Sequence, residues 1–290
     1  MKIAIGTVQF GLEYGLPPNN YQVNSEQIQK ILNLSLINNI TYMDTAFTYG
    51  NAEEKIGEFI RNQEFSIITK TPVFRNEIIK KKDKEIILDA FDKSLERLNL
   101  NKCYALLIHH CDDLLKPNGS YLYEALRSLK EKNKIKKIGV SVYNQEQIEK
   151  ILKLYDVDII QLPINLYDQK LLINGILKDI KSKGIEIHAR SIFLQGLLLM
   201  QENKWPPFFK DLKEHHENTK SYFFKKNISM IEACLNFVYN IEQIDKVIVG
   251  VNSELHLKEI IKIDRNKLFD VDYKQFSVDK KKFISPQLWP

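Results

Sequence analysis

Asp44, Tyr49, Lys70 and His109 have the types and spacing to do chemistry together. Asp44 closes a short apolar run, and the loop Thr45-Ala46-Phe47-Thr48-Tyr49-Gly50 follows it. Lys70 closes Ile67-Ile68-Thr69-Lys70, and His109 closes Leu106-Leu107-Ile108-His109. A lysine at the end of an apolar strand is costly to bury without a carboxylate. Asp44, one run earlier, is the candidate partner. A tyrosine beside a buried ammonium has its phenolate favoured, so its pKa falls from ~10 towards working pH. Such a phenol serves as a general acid or base. Each residue alone has a plainer reading: Asp44 as a helix cap, Tyr49 as packing, Lys70 as a snorkelling strand end, His109 as a core histidine. Gathered at the ends of consecutive strands, they read as one constellation.

Such a constellation needs parallel strands that end on one face. Short β-type runs alternate with amphipathic helical stretches along the whole chain. The strand candidates are 3–7, 41–44, 66–70, 103–109, 135–141, 158–162, 185–189 and 246–250. They are continuously apolar, as expected for parallel strands covered on both faces. Helical patterns occupy 25–38, 84–98, 121–131, 146–154, 171–183, 228–239 and 254–263, with Gly184 as a C-cap of the fifth. Six of the seven spacings between strand starts run from about 22 to about 38 residues, and the last is about 61. Eight βα units read as a single-domain α/β fold over residues 1–290, a (β/α)8 TIM barrel. A doubly wound sheet would want a glycine-rich first turn, and Gly6-Thr7-Val8-Gln9-Phe10-Gly11 does not fit GxGxxG. The long gap near 194–227 reads as an insertion after strand seven, on the catalytic face or as a lid. The aperiodic tail from Asp270 onward is expected to fold over the barrel mouth.

Composition bounds the function class. Of 290 residues, 44% are hydrophobic and 27% charged, an ordinary globular balance. The net charge is +5, from 42 Lys+Arg against 37 Asp+Glu. Arginines number six, at 61, 75, 97, 127, 190 and 265, which leaves 42 − 6 = 36 lysines. Phosphate readers lean on arginine forks, so no nucleic-acid partner is expected. Cys103, Cys111 and Cys234 are sparse, odd in number and form no CxxC, against a secreted disulfide framework. The start of the chain turns polar too soon for a signal peptide, and the longest apolar run, 192–200, is too short for a bilayer. The expectation is a cytoplasmic protein with no membrane partner.

Over nearly its whole length the sequence resembles the aldo-keto reductase superfamily. Gly6-Thr7-Val8-Gln9-Phe10-Gly11 with Tyr14-Gly15 resembles the first-strand motif of a bacterial branch. Asp44-Thr45-Ala46-x-x-Tyr49-Gly50, followed by Glu53 and Gly57, resembles the family's Asp–Tyr segment. Thr69-Lys70 and Leu106-Leu107-Ile108-His109 resemble its lysine and histidine strands. Ile138-Gly139-Val140-Ser141 and Ile160-Gln161-Leu162-Pro163-Ile164-Asn165 resemble its nicotinamide-binding strands. The resemblance implies an NAD(P)H-dependent oxidoreductase that reduces an aldehyde or ketone, with Asp44, Tyr49, Lys70 and His109 as its tetrad. Tyr49 would give the proton, Lys70 would lower its pKa, Asp44 would hold Lys70 charged, and His109 would orient the carbonyl. Hydride addition builds negative charge on the carbonyl oxygen, which a phenol O–H and an imidazole can meet.

By the same resemblance Ser141 and Gln161 would hold the nicotinamide amide, and Ser191, Leu194 and Gly196 would lie near the pyrophosphate. Gly250, Asn252, Ser253 and Glu259 would lie at the adenosine end, with Gly6, Thr7 and Arg190 completing the cofactor set. NADPH is the implied cofactor and NADH the alternative. The substrate would be a small carbonyl compound, sugar-derived by analogy with the bacterial branch. Three residues depart from the family pattern. Val142 replaces the usual asparagine after Ser141, Arg190 stands where many members stack an aromatic on the nicotinamide, and His256 stands where an arginine is frequent. Arg190 reads either as a grip on an anionic group or as a rim ion pair with Asp44 or Glu13. Two other classes are weighed. A redox-silent nucleotide-binding barrel would lack an intact tetrad. A metal-dependent hydrolase could use His109-His110-Cys111-Asp112-Asp113, but adjacent strand residues point to opposite faces. No metal site is expected.

Overall fold

The computed structural model describes residues 2–17, 21–60, 65–264, 267 and 269–290. Eight strands, β1 (Ile3–Gly6), β2 (Tyr42–Asp44), β3 (Ser66–Lys70), β4 (Cys103–Ile108), β5 (Ile135–Ser141), β6 (Ile159–Pro163), β7 (Glu186–Arg190) and β8 (Lys246–Gly250), appear where the apolar runs place them. All neighbours pair in parallel and β8 closes on β1, giving a (β/α)8 TIM barrel. Strand ends depart from the expected limits by a residue in several places. Just before β6 the Asp158 carboxylate accepts from the Ile138 amide at 2.8 Å.

Contacts between strands that are not neighbours identify the side chains that fill the barrel. Tyr104 donates to Glu186 at 2.9 Å, joining β4 to β7. Gln161 donates to Asp44 at 2.6 Å, joining β6 to β2. The Lys246 ammonium lies 3.6 Å from the Tyr42 ring centroid, joining β8 to β2. These contacts cross the interior, and they stack in layers as barrel fillings do. Ile68, Ala105, Leu107 and Ile159 form an apolar middle layer that is separate from the outer core. Below it Glu186 gathers Tyr104, Lys137 and the fully buried His188. Above it, at the carboxyl ends of the strands, stand Asp44, Lys70, Gln161 and Arg190.

The helices wrap this filling with apolar stripes. Ile28, Ile31, Leu32 and Ser35 are buried in Ser25–Ile37, and Asn24 caps it by accepting from the Gln27 amide at 2.9 Å. The helix Ala52–Phe59 was outside the expected set. Five of its eight residues are charged or glycine, so its apolar stripe is too thin to read. Gly57 lets it press on the end of Lys81–Leu98, where a Cβ would stand 2.1 Å from the Arg97 carbonyl oxygen. The stretch expected as one helix at 171–183 is two, Lys170–Ile173 and Ile176–Ser182. Gly175 at φ +75° breaks it.

The insertion after β7 runs through short 3-10 turns into the helix Lys213–Lys225. The tail packs on this insertion and on the loop after β6. Val278 donates to the Tyr167 carbonyl at 2.9 Å, Gln169 donates to the Tyr273 carbonyl at 2.7 Å, and the Trp289 and Phe209 rings lie 4.8 Å apart. It therefore reaches the carboxyl-end rim of the barrel. Among the described residues no helix is long and apolar enough to cross a membrane.

Candidate active site

A cavity of about 560 Å³ opens at the carboxyl ends of the strands. Lys70 reaches into it from β3 and is 1% exposed. Its ammonium donates to Asp44 Oδ2 at 2.6 Å and to the Thr45 carbonyl at 2.8 Å. The other Asp44 oxygen accepts from Gln161 at 2.6 Å, and the Asp44 carbonyl accepts from Thr7 Oγ1 at 3.0 Å. Burial lowers the Lys70 pKa, and Asp44 opposes that by Coulomb attraction and hydrogen bonding. The expected lysine–aspartate pair is thus present, buried and tightly hydrogen bonded.

Tyr49 lies beside this pair, with Lys70 Nζ 5.0 Å from its ring centroid. One expectation is corrected here. Burial pushes the Tyr49 pKa up rather than down, the Asp44 carboxylate pushes the same way, and Arg190 opposes both. The Lys70 ammonium hydrogen-bonds Asp44 and Thr45 and not the phenol. Tyr49 is therefore held protonated. His109 stacks edge-on against it at 5.7 Å between centroids. Burial, with Lys70 next, pulls the His109 pKa down to about 3, so the ring is neutral at neutral pH. Thr48 Oγ1 is 3.2 Å from its Nδ1. His110 is exposed and does not line the cavity. Among the described residues no three His, Cys, Asp or Glu side chains are grouped to hold a metal ion.

Of the remaining expected residues, Gly6, Thr7, Ser141, Gln161, Arg190, Ser191, Gly196, Gly250, Asn252 and Glu259 line the cavity. Leu194 and Ser253 do not. Leu194 is fully buried in the core, and Ser253 caps the helix Glu254–Lys262 by accepting from the His256 amide at 3.2 Å. The backbone from Ser191 to Gly196 is strained. Ser191, Leu194, Gln195 and Gly196 all have positive φ, at 62°, 48°, 54° and 91°, which costs roughly 1–2 kcal/mol for each non-glycine residue. Asn165, fully buried, clamps this turn by donating to the Ser191 carbonyl at 3.1 Å. Val142, at the position of the departed asparagine, offers its carbonyl to Arg190 Nη2 at 3.0 Å. The rim ion pair is not formed: among the described residues Arg190 meets neither Asp44 nor Glu13.

Gln9, Tyr14, Tyr143 and Gln195 also line the cavity and were not singled out as site residues. Tyr143 had a signal, because it continues the alternation of Gly139 and Ser141 beyond the end of β5. Gln9 stands within the first-strand motif. Gln195 had none, since a left-handed glutamine leaves no mark in a sequence.

The cavity walls suit a dinucleotide. Its volume lies in the range of cofactor clefts. Gly250 keeps one wall open, where a Cβ would stand 2.9 Å from Gln9 Oε1. Gln9 Oε1 and Arg190 Nε are buried without a hydrogen-bond partner, an acceptor and a donor left for a ligand.

Relatives place this geometry in a family. The sequence matches the profile of the Aldo/keto reductase family over residues 2–277. Glyoxal reductase of Bacillus subtilis (strain 168) is 31% identical over 182 residues, 62% of this chain and 63% of that protein. Aldo-keto reductase YhdN of the same organism is 25% identical over 201 residues, 66% of this chain and 60% of that protein. In both cases the match spans less than two thirds of the relative's own length. Among solved structures, the holo form of an aldo-keto reductase from Bacillus halodurans superposes with a TM-score of 0.74 at 18% identity, covering 95% of this chain and 89% of that one. With the profile spanning almost the whole barrel, the chain belongs to the aldo/keto reductase family, a family of oxidoreductases.

Proposed function

We propose that the chain is an NAD(P)H-dependent reductase of aldehydes or ketones, with Tyr49 as the general acid. One observation carries this reading: a buried Lys70–Asp44 pair stands beside the Tyr49 phenol and the His109 imidazole, at the floor of a cavity sized for a dinucleotide. The bound nicotinamide nucleotide supplies the hydride. Ser141 and Gln161 would hold its amide, the strained turn at Ser191–Gly196 would lie along its pyrophosphate, and Gly250, Asn252 and Glu259 would lie along its adenosine end. His109 and Tyr49 direct hydrogen-bond donors to one carbonyl oxygen. In the tautomer whose Nδ1 accepts from the Thr48 hydroxyl, the His109 proton sits on Nε2. Negative charge growing on the oxygen is met by these two donors and by the Lys70 ammonium behind Tyr49. Tyr49 then hands over its proton, and Lys70 stabilises the phenolate left behind.

Fluorescence titration with NADPH and NADH, followed by turnover on a carbonyl panel, tests this. Glyoxal belongs in the panel because a relative is named for it, and reducing sugars belong in it for the sugar-derived reading. Tyr49→Phe keeps the ring and removes the proton donor. Carbonyl reduction should fall by at least ~10²-fold, the scale of a general acid, with cofactor binding retained. Full turnover in Tyr49→Phe removes Tyr49 from the mechanism.

A further inference from the structure

We propose that Arg190 grips an anionic group of the carbonyl substrate, a carboxylate or a phosphate, and so makes acidic carbonyl compounds the preferred substrates. This rests on the carbonyl-reductase reading for the reaction itself. Arg190 ends β7 two residues beyond His188 and four beyond Glu186, both of which belong to the barrel filling. Strand alternation therefore sends its side chain into the top layer, among the groups placed for the chemistry.

The guanidinium is held there in a fixed plane. Nη2 donates to the Val142 carbonyl at 3.0 Å, Nη1 approaches Ser191 Oγ at 3.4 Å, and the group lies 4.5 Å from the Tyr143 ring centroid. Its backbone is fixed too, since the Ile164 amide donates to the Arg190 carbonyl at 3.2 Å. What it lacks is a countercharge. Among the described residues no carboxylate forms an ion pair with it. Asp44, the acid of this layer, has one oxygen on Lys70 and the other on Gln161. The Nε–H is buried with no acceptor. The part-buried guanidinium on the cavity wall is therefore a cation with no protein anion in contact with it. A ligand anion completes it, and the flat fork suits two oxygens at once.

Position decides which ligand brings that anion. The Arg190 charge bears on Tyr49, His109 and Lys70, the groups assembled around the reacting oxygen. Asn252 and Glu259, at the other end of the cavity, come from the loop and helix after β8. The grip thus sits at the carbonyl end, where a substrate carboxylate or phosphate can reach it.

The test compares two aldehydes of equal chain length, succinic semialdehyde and butanal, in the wild type, Arg190→Met and Arg190→Lys. The readout is the ratio of their kcat/KM values. A hydrogen bond between charged groups corresponds to roughly ten- to a hundredfold in binding. Arg190→Met should lower the ratio by that factor, through KM for the semialdehyde. Arg190→Lys keeps the charge without the fork, preserves the fold if the methionine variant does not, and should fall between. The wild-type ratio should also drop as salt rises. Calorimetric titration with glutarate, an anion that cannot be reduced, reads the grip without turnover. Glutarate binding that Arg190→Met abolishes supports the proposal, even if every carbonyl proves inert. That last result would refute the reductase reading alone. Equal losses on both aldehydes, a loss confined to NADPH and NADH affinity, or no glutarate binding in the wild type would each overturn the grip.

Discussion

Removing one partner of the Lys70–Asp44 pair should harm both stability and turnover, and removing both should be far gentler than the two losses added. The two side chains are 1% and 6% exposed, and the ion pair is 2.6 Å long. Lys70→Met leaves the Asp44 carboxylate in the barrel with only Gln161 donating to it. Asp44→Asn leaves the ammonium with the Thr45 carbonyl and a neutral amide. Breaking a buried pair from either side costs about 3–5 kcal/mol, because the survivor stays charged and unmatched. The double variant leaves no buried charge, so its cost should resemble that of one single variant. The coupling energy would then be about 3 kcal/mol or more. Urea unfolding of the four proteins at neutral pH measures it, and kcat/KM on a common aldehyde measures the catalytic counterpart. All three variants should lose activity to a similar degree, as groups acting in one unit do. A pH profile adds an independent reading. Asp44 holds the Lys70 pKa up against burial, so Asp44→Asn should lose activity on raising the pH earlier than the wild type does. Stability losses that add within about 0.5 kcal/mol would show that the pair is not coupled and would refute this account.

Two further outcomes follow from buried groups outside the tetrad. His216 is fully buried against Tyr167 and Trp205, and burial pulls its pKa down to about 4. The unfolded chain takes up that proton near pH ~6.5 while the native one does not, so stability falls as pH drops from there towards 4, by about 3 kcal/mol in total. His216→Gln should flatten this part of the stability–pH curve relative to wild type, and parallel curves would remove His216 as the cause. Glu53, 1% exposed, accepts from Thr69 at 2.7 Å and from Ser94 at 3.0 Å, with Arg97 at 3.6 Å. Glu53→Ala strands three donors and should cost about 3 kcal/mol, whereas Glu53→Gln keeps an acceptor and should cost under half of that. Chemical unfolding distinguishes them, and an alanine variant as stable as the glutamine one would contradict the network.

The top layer of the barrel was legible because two periodicities coincide. Continuous apolar runs marked the strands, and the last inward position of six of the eight runs carried a polar residue: Asp44, Lys70, His109, Ser141, Gln161 and Arg190. What stayed hidden depends on closure of the sheet. That Gln161 donates to Asp44 across the interior follows from β6 facing β2 only once the eight strands have joined. Burial reverses the expected tuning of Tyr49, with the Asp44 carboxylate pushing the same way. A sequence shows a lysine near a tyrosine, but not how deeply the closed barrel buries the phenol. The turn at Ser191–Gly196 was hidden for another reason. Three of its left-handed residues are not glycine, so the strain is imposed by Asn165 and the neighbouring strands rather than encoded locally. That strain and the unmatched Arg190 charge occur side by side at the end of β7. At the barrel floor, by contrast, Lys137, Tyr104 and His188 all meet Glu186, and the Lys246 ammonium lies over the Tyr42 ring. The Arg190 guanidinium, in no ion pair among the described residues and on the wall of the cavity, is a charge on offer to what enters the mouth.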